Sequence, residues 1–85
     1  MRVVLYTTSD RCSLCIGAKV LLDDLSERHG FAFEEVEVES DPELFRLHRD
    51  RVPVLVRDGR EIAFGRLDAR VVEAALSGGM VEGGA

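Results

Sequence analysis

The chain has 85 residues, 46% of them hydrophobic and 32% charged, a balance that builds one small domain rather than two and excludes general disorder. Eleven Lys and Arg against sixteen Asp and Glu give a net charge of −5, which argues against a nucleic-acid binder, whose affinity comes from cations displacing counterions. No apolar run approaches the ~18–20 residues that span a membrane, and Val3–Tyr6 is too short for a signal-peptide core, so a cytoplasmic chain without a membrane partner is expected.

Arg2–Tyr6 is β-branched and apolar without alternation, the pattern of a strand buried on both faces. A polar loop, Thr7–Arg11, leads into a helix predicted from about Ser13 to Arg28. There Leu14, Ala18, Leu21, Leu22 and Leu25 form one apolar stripe, and Gly30 is the C-cap. Phe33–Glu39 is the next strand, and its charge marks it as an edge. Ser40-Asp41-Pro42 starts a short helix to about His48, expected to bury Leu44, Phe45 and Leu47. Val52–Val56 is a second buried-type strand with proline at its entrance. Asp58-Gly59 is a hairpin turn, and Glu61–Phe64 is the partner strand. Asp68 caps a last helix, Ala69 to about Leu76, with Val71, Val72, Ala75 and Leu76 on one face. Residues 1–77 form the single domain, and 78–85 are a Gly-rich tail.

The order is β-α-β-α-β-β-α. It implies an α/β fold with a four-stranded mixed sheet. The two apolar strands take the centre, which gives the spatial order 2-1-3-4, and a right-handed crossover joins the first two strands.

The only cysteines are Cys12 and Cys15. Two cysteines make no disulfide framework, and a bridge between them closes too short a loop to staple the fold. Cys12 falls where the loop meets the first helix. Unpaired first-turn N–H groups and the positive end of the helix dipole favour a thiolate there, and the thiolate is the nucleophile. Arg11 adds a nearby positive charge. Cys15 lies one turn further, within reach of a mixed disulfide on Cys12. Two other readings stand beside this one: both cysteines as small core residues, and a zinc or shared cluster site. For zinc only His29 and His48 remain as further ligands, against the four that structural zinc takes. Lys19 is the only lysine, a bias read as genomic composition.

These residues, Tyr6, Cys12-Ser13-Leu14-Cys15, Ala18-Lys19, Asp41-Pro42-Glu43-Leu44 and Arg51-Val52-Pro53-Val54-Leu55, resemble a glutaredoxin-like protein of the thioredoxin superfamily, of the small bacterial group with a C-x-L-C centre. The likeness covers about residues 2–77. It implies a thioredoxin-like fold. It also implies that Cys12 is the attacking thiol and Cys15 the resolving one. Pro53 would be a cis-proline facing the disulfide, with the Val52 backbone pairing with a substrate chain. Typical glutaredoxins carry proline and then an aromatic after the first cysteine, where this chain has Ser13 and Leu14. Its loop before Cys12 is one residue longer. Glutathione-binding members carry Gly-Gly then Thr/Ser-Asp before the last helix, whereas Phe64-Gly65-Arg66-Leu67-Asp68 keeps one glycine and the aspartate. Asp68 could hold the amino group of glutathione, though helix capping alone accounts for it. Arg46, Arg49 and Arg51 could meet a carboxylate or simply form a solvated face.

The resulting expectation is a monomeric thiol–disulfide oxidoreductase with no bound cofactor. It would exchange with a protein or small-molecule disulfide and be reset by glutathione or a thioredoxin reductase system. The alternative is a thioredoxin-fold binding module, or a dimeric iron–sulfur or glutathione-binding protein without turnover.

Overall fold

The computed structural model describes residues 2–9 and 12–77; the 78–85 tail and Arg11 lie outside the described residues. The elements are β1 (Val3–Thr7), α1 (Ser13–His29), β2 (Phe33–Glu37), a 3₁₀ turn (Val38–Ser40), α2 (Pro42–His48), β3 (Val54–Arg57), β4 (Arg60–Phe64) and α3 (Ala69–Ser77). The sheet order is β2-β1-β3-β4. β1 runs parallel to β2 and antiparallel to β3, and β3 runs antiparallel to β4. The unalternated apolar strands β1 and β3 take the centre because both of their faces are covered. Val3, Val4, Leu5, Val54 and Leu55 are all buried.

One face of the sheet carries the main core. Val3, Leu5 and Leu55 meet Ala18, Leu22 and Leu25 of α1 and Val72 and Leu76 of α3, with Phe33 packed alongside. Strand residues alternate between faces, so Val4 and Tyr6 point the other way. On that side the Tyr6 ring stacks on His48 at the end of α2, with centroids 5.0 Å apart. His48, unplaced by the sequence, is therefore a packing residue.

Helix ends follow local chemistry. Gly30 caps α1 in the left-handed region at φ 71°, and its N–H donates to the Ser26 carbonyl. The Asp41 carboxylate accepts the Glu43 N–H at 2.8 Å, with Pro42 in the first turn. Asp58 (φ 52°) and Gly59 (φ 82°) make the tight β3–β4 turn, whose primed geometry needs two positive φ values.

Four side chains depart from expectation. Leu14 is 40% exposed, because Cys15 takes its place at the head of the buried α1 row Cys15, Ala18, Leu22, Leu25. Phe45 and Leu47 are exposed and no residue of α2 is fully buried. That helix has seven residues and offers only Leu44 and His48 as half-buried contacts. Val71 is exposed while Val72 is buried. Strand bounds shift as well. β2 ends at Glu37 because Val38 turns into the 3₁₀ segment and is buried there. β3 begins at Val54, after the proline.

Candidate functional site

The C-terminal end of β1 and the N-terminal end of β3 lie at the same end of the sheet, since Tyr6 pairs with Val54. The β1–α1 loop delivers Cys12 to this end, and Pro53 opens β3 there. Cys12 is the N-cap of α1. Its Sγ accepts the Cys15 N–H at 3.0 Å. Cys12 and Cys15 form a disulfide. Cys12 is half-buried and Cys15 is 3% exposed. Among the described residues there is no free cysteine. The same N–H that meets Sγ would stabilise a Cys12 thiolate after reduction, through the charge-assisted hydrogen bond and the helix dipole. The core reading of the pair thus holds for Cys15 alone.

The Val52–Pro53 peptide bond is cis. Pro53 is buried. Its carbonyl accepts the Gly65 N–H at 2.8 Å, and the Arg51 carbonyl accepts the same N–H at 3.2 Å. Gly65, at φ 71°, therefore fastens the proline segment from the β4 side. The Val52 N–H donates to the His48 carbonyl at 3.1 Å, so this donor is already engaged within the chain.

Asp68 caps α3: its Oδ1 accepts the Arg70 N–H at 2.9 Å and the Val71 N–H at 3.3 Å. The three arginines all have partners within the chain. Arg46 pairs with Glu43. Arg49 lies 3.8 Å from Asp50 and over the Phe45 ring. Arg51 pairs with Glu61 and stacks over Phe64 at 4.2 Å.

Two acidic residues near the cysteines escaped the sequence reading. Glu39 fastens the loop before Cys12, accepting from the Thr8 hydroxyl and from the Ser9 N–H at 3.3 Å. The Thr8 hydrogen bond, with help from the Ser9 N–H, holds the Glu39 carboxyl below its ordinary range. Glu35 accepts the Thr7 hydroxyl at 2.8 Å and lies 3.4 Å from the Lys19 ammonium. A groove of about 290 Å³ joins Cys12, Cys15, Lys19, Glu35 and Glu37. Period-two alternation was the available signal: Phe33, Glu35 and Glu37 share one face, and Phe33 belongs to the core. Among the described residues no group of three or more His, Cys, Asp or Glu is placed to hold a metal ion.

The sequence model of a family described as Glutaredoxin-like domain (DUF836) matches residues 2–77. The chain belongs to this glutaredoxin-like family. Among solved structures it is similar to a protein from X. campestris, with 33% identity, a TM-score of 0.74, and coverage of 88% of this chain and 95% of that one. A protein from Nitrosomonas europaea is similar at 32% identity and TM-score 0.71, covering 87% of this chain and 88% of that one. Thioredoxin 1 from Thermosipho africanus shares the fold, at 16% identity and TM-score 0.59, over 91% of this chain and 96% of that one. No curated protein matches. The glutaredoxin-like chain thus has a thioredoxin fold with a Cys12–Cys15 pair at disulfide distance. Among the described residues no helix is long and apolar enough to cross a membrane.

Proposed function

We propose that this chain is a thiol–disulfide oxidoreductase that carries two electrons on Cys12 and Cys15. The observation that supports it is the asymmetry of the pair: Cys12 half-buried at a helix N-cap, Cys15 buried one turn behind it. In the reduced protein the Cys12 thiolate attacks one sulfur of a substrate disulfide, and the other sulfur leaves as a thiolate. Cys15 then attacks Cys12 Sγ, displaces the second substrate thiol and leaves the Cys12–Cys15 bridge.

Glutathione or a thioredoxin reductase system resets the bridge in a reducing compartment such as the cytoplasm, and the chain works as a monomer. A substrate chain laid against Val52 would pair through the Val52 carbonyl, because the N–H already donates to His48. Capping by Asp68 and the internal pairing of Arg51 favour a protein disulfide over glutathione as the substrate.

The test is a trap. Cys15→Ser should accumulate mixed disulfides with substrate through Cys12, and Cys12→Ser should abolish exchange. Turnover that survives Cys12→Ser sinks the reading. Visible absorbance after anaerobic iron–sulfur reconstitution, lost in Cys12→Ser, would favour the cluster-binding alternative.

A further inference from the structure

We propose that the face between α1 and α3 selects a protein disulfide whose flanking segment is acidic, with Arg66 and Arg70 as the cations that read it. The inference rests on the exchange reaction proposed above and names the class of its substrate. Its starting point is a break in the charge pattern. The chain carries a net charge of −5, and most of its cations are matched. Among the described residues each Lys and Arg pairs with a carboxylate, except Arg60, Arg66 and Arg70. Arg60 sits at the β3–β4 turn, at the far end of the sheet. Arg66 and Arg70 stand together at the start of α3, and both are exposed.

The backbone holds these arginines at the redox end. Arg66 follows Gly65, whose N–H donates to the Pro53 carbonyl at 2.8 Å. A groove of about 450 Å³ runs from Arg66, Leu67 and Ala69 to Ser13, Leu14 and Leu21 of α1. Ser13 and Leu14 directly follow Cys12, so a chain joined to Cys12 Sγ starts at this end of the groove. The groove follows α1 for about 12 Å, which an extended partner covers in about four residues. Its lining is apolar: Leu21 and Leu67 are half-buried, and Leu14 is exposed. Its rim is cationic, since Arg66 borders it and Arg70 joins Arg66 in the adjoining groove over Leu67 and Asp68.

The carboxylate that fits here comes from a partner. Asp68 already accepts the Arg70 and Val71 N–H groups, so the helix start is closed and the two guanidinium groups are what a ligand meets. Glu61 is paired with Arg51, and Glu73 turns to Arg28 and His29. A short apolar groove that opens beside Cys12 and carries unmatched cations on its rim complements one kind of segment. That segment has an apolar side chain and an Asp or Glu within about four positions of its disulfide, the reach of the groove. Exposed ion pairs of this kind are weak singly. They therefore rank substrates against one another and leave the exchange chemistry to Cys12 and Cys15.

Three disulfide-cyclised peptides test this, each with Leu beside the ring and with Glu, Gln or Lys about three positions outside it on both sides. Reduction by the pre-reduced protein, followed by acid quench and chromatography, gives a second-order rate constant for each. The wild-type protein should take the Glu peptide over the Gln peptide by about threefold or more, and the Gln peptide over the Lys peptide. Both gaps should narrow as salt is raised. Arg66→Gln combined with Arg70→Gln should bring the Glu-to-Gln ratio to about one. Arg60→Gln, which removes a charge at the far end of the sheet, should leave that ratio as in wild type. Arg66→Glu combined with Arg70→Glu should turn the preference toward the Lys peptide, a gain that a folding defect does not produce. Absence of a Glu preference in the wild-type protein overturns the proposal. Equal loss of the preference in Arg60→Gln overturns it in favour of net charge alone. A loss in the doubly substituted protein that falls on glutathione disulfide and spares the Glu peptide overturns it in favour of a small ligand. A wild-type protein that reduces none of these disulfides would instead defeat the oxidoreductase reading itself.

Discussion

At the scale of single residues, the loop before Cys12 is held by contacts that act at a distance from sulfur. Glu39 ties Thr8 and Ser9 to the 3₁₀ turn, and its carboxyl is lowered from the ordinary value of 4.5, chiefly by the Thr8 hydroxyl. A carboxylate whose folded pKa is depressed stabilises the fold above its unfolded value. That contribution is lost as pH falls through the folded value. The expected outcome is that Glu39→Gln flattens the decline of the thermal midpoint with acidification below about pH 4.5, measured against wild type from pH 6 to 3. Asp68 gives a second test. As the α3 cap it should cost about 1 kcal/mol when replaced by alanine, a fall of about 4–8 °C in midpoint for a domain of this size. Exchange with a glutathione-free protein disulfide should be unaffected. A rise in KM for glutathione in Asp68→Ala would give the carboxylate a ligand role beyond capping.

At the scale of elements, turn chemistry and strand order were legible because they depend on local rules. The Asp58-Gly59 turn, the Gly30 and Asp41 caps and the central pair β1 and β3 all stand where composition placed them. What failed was the choice between neighbouring apolar residues on a helix. Leu14 and Cys15, or Val71 and Val72, differ by one step of about 100° around the axis, and only the sheet beneath decides which points inward. Glu35 escapes a reading of the sequence for a similar reason. Its charge marks an edge strand, which is correct, but its pairing opposite Leu5 turns it toward α1. Gly65 was read only as a family remnant, although it holds Pro53 through a backbone bond at 2.8 Å. A Cβ at Gly65 meets nothing within 4 Å, so only its φ of +71° penalises a substitution. Gly65→Ala should cost about 1–2 kcal/mol. It should also lower kcat/KM for disulfide exchange, because the loop bearing Pro53 shifts with it. Gly30→Ala, at the same φ but at the far end of α1, should cost similar stability with no change in exchange. That pair of variants separates strain from function.

At the scale of the whole molecule, the proposed role as a carrier of electrons requires one fold in two oxidation states. The disulfide spans a sequence separation of 3, and a ring that short removes little chain entropy, about 2 kcal/mol at most on the loop-closure model. The helix does the rest. Cys12 as N-cap and Cys15 in the first turn are set by α1 itself, with Cα atoms 5.2 Å apart. The core that packs α1 onto the sheet rests on Ala18, Leu22 and Leu25 against Val3, Leu5 and Leu55; Cys15 is buried at the head of the same row, but none of these contacts runs through the bridge. Urea unfolding of the oxidised and reduced proteins should therefore differ by no more than about 2 kcal/mol. A thermodynamic cycle turns this into a second reading of the same quantity. The difference in stability equals the extra tendency of the folded chain, over the unfolded one, to close the bridge. For a two-electron couple 30 mV corresponds to about 1.4 kcal/mol, so the potentials of folded and urea-unfolded protein should lie within about 40 mV of each other. A much larger gap, with reduction unfolding the domain, would make the bridge a structural staple and would leave no role for the Cys12–Cys15 asymmetry in exchange.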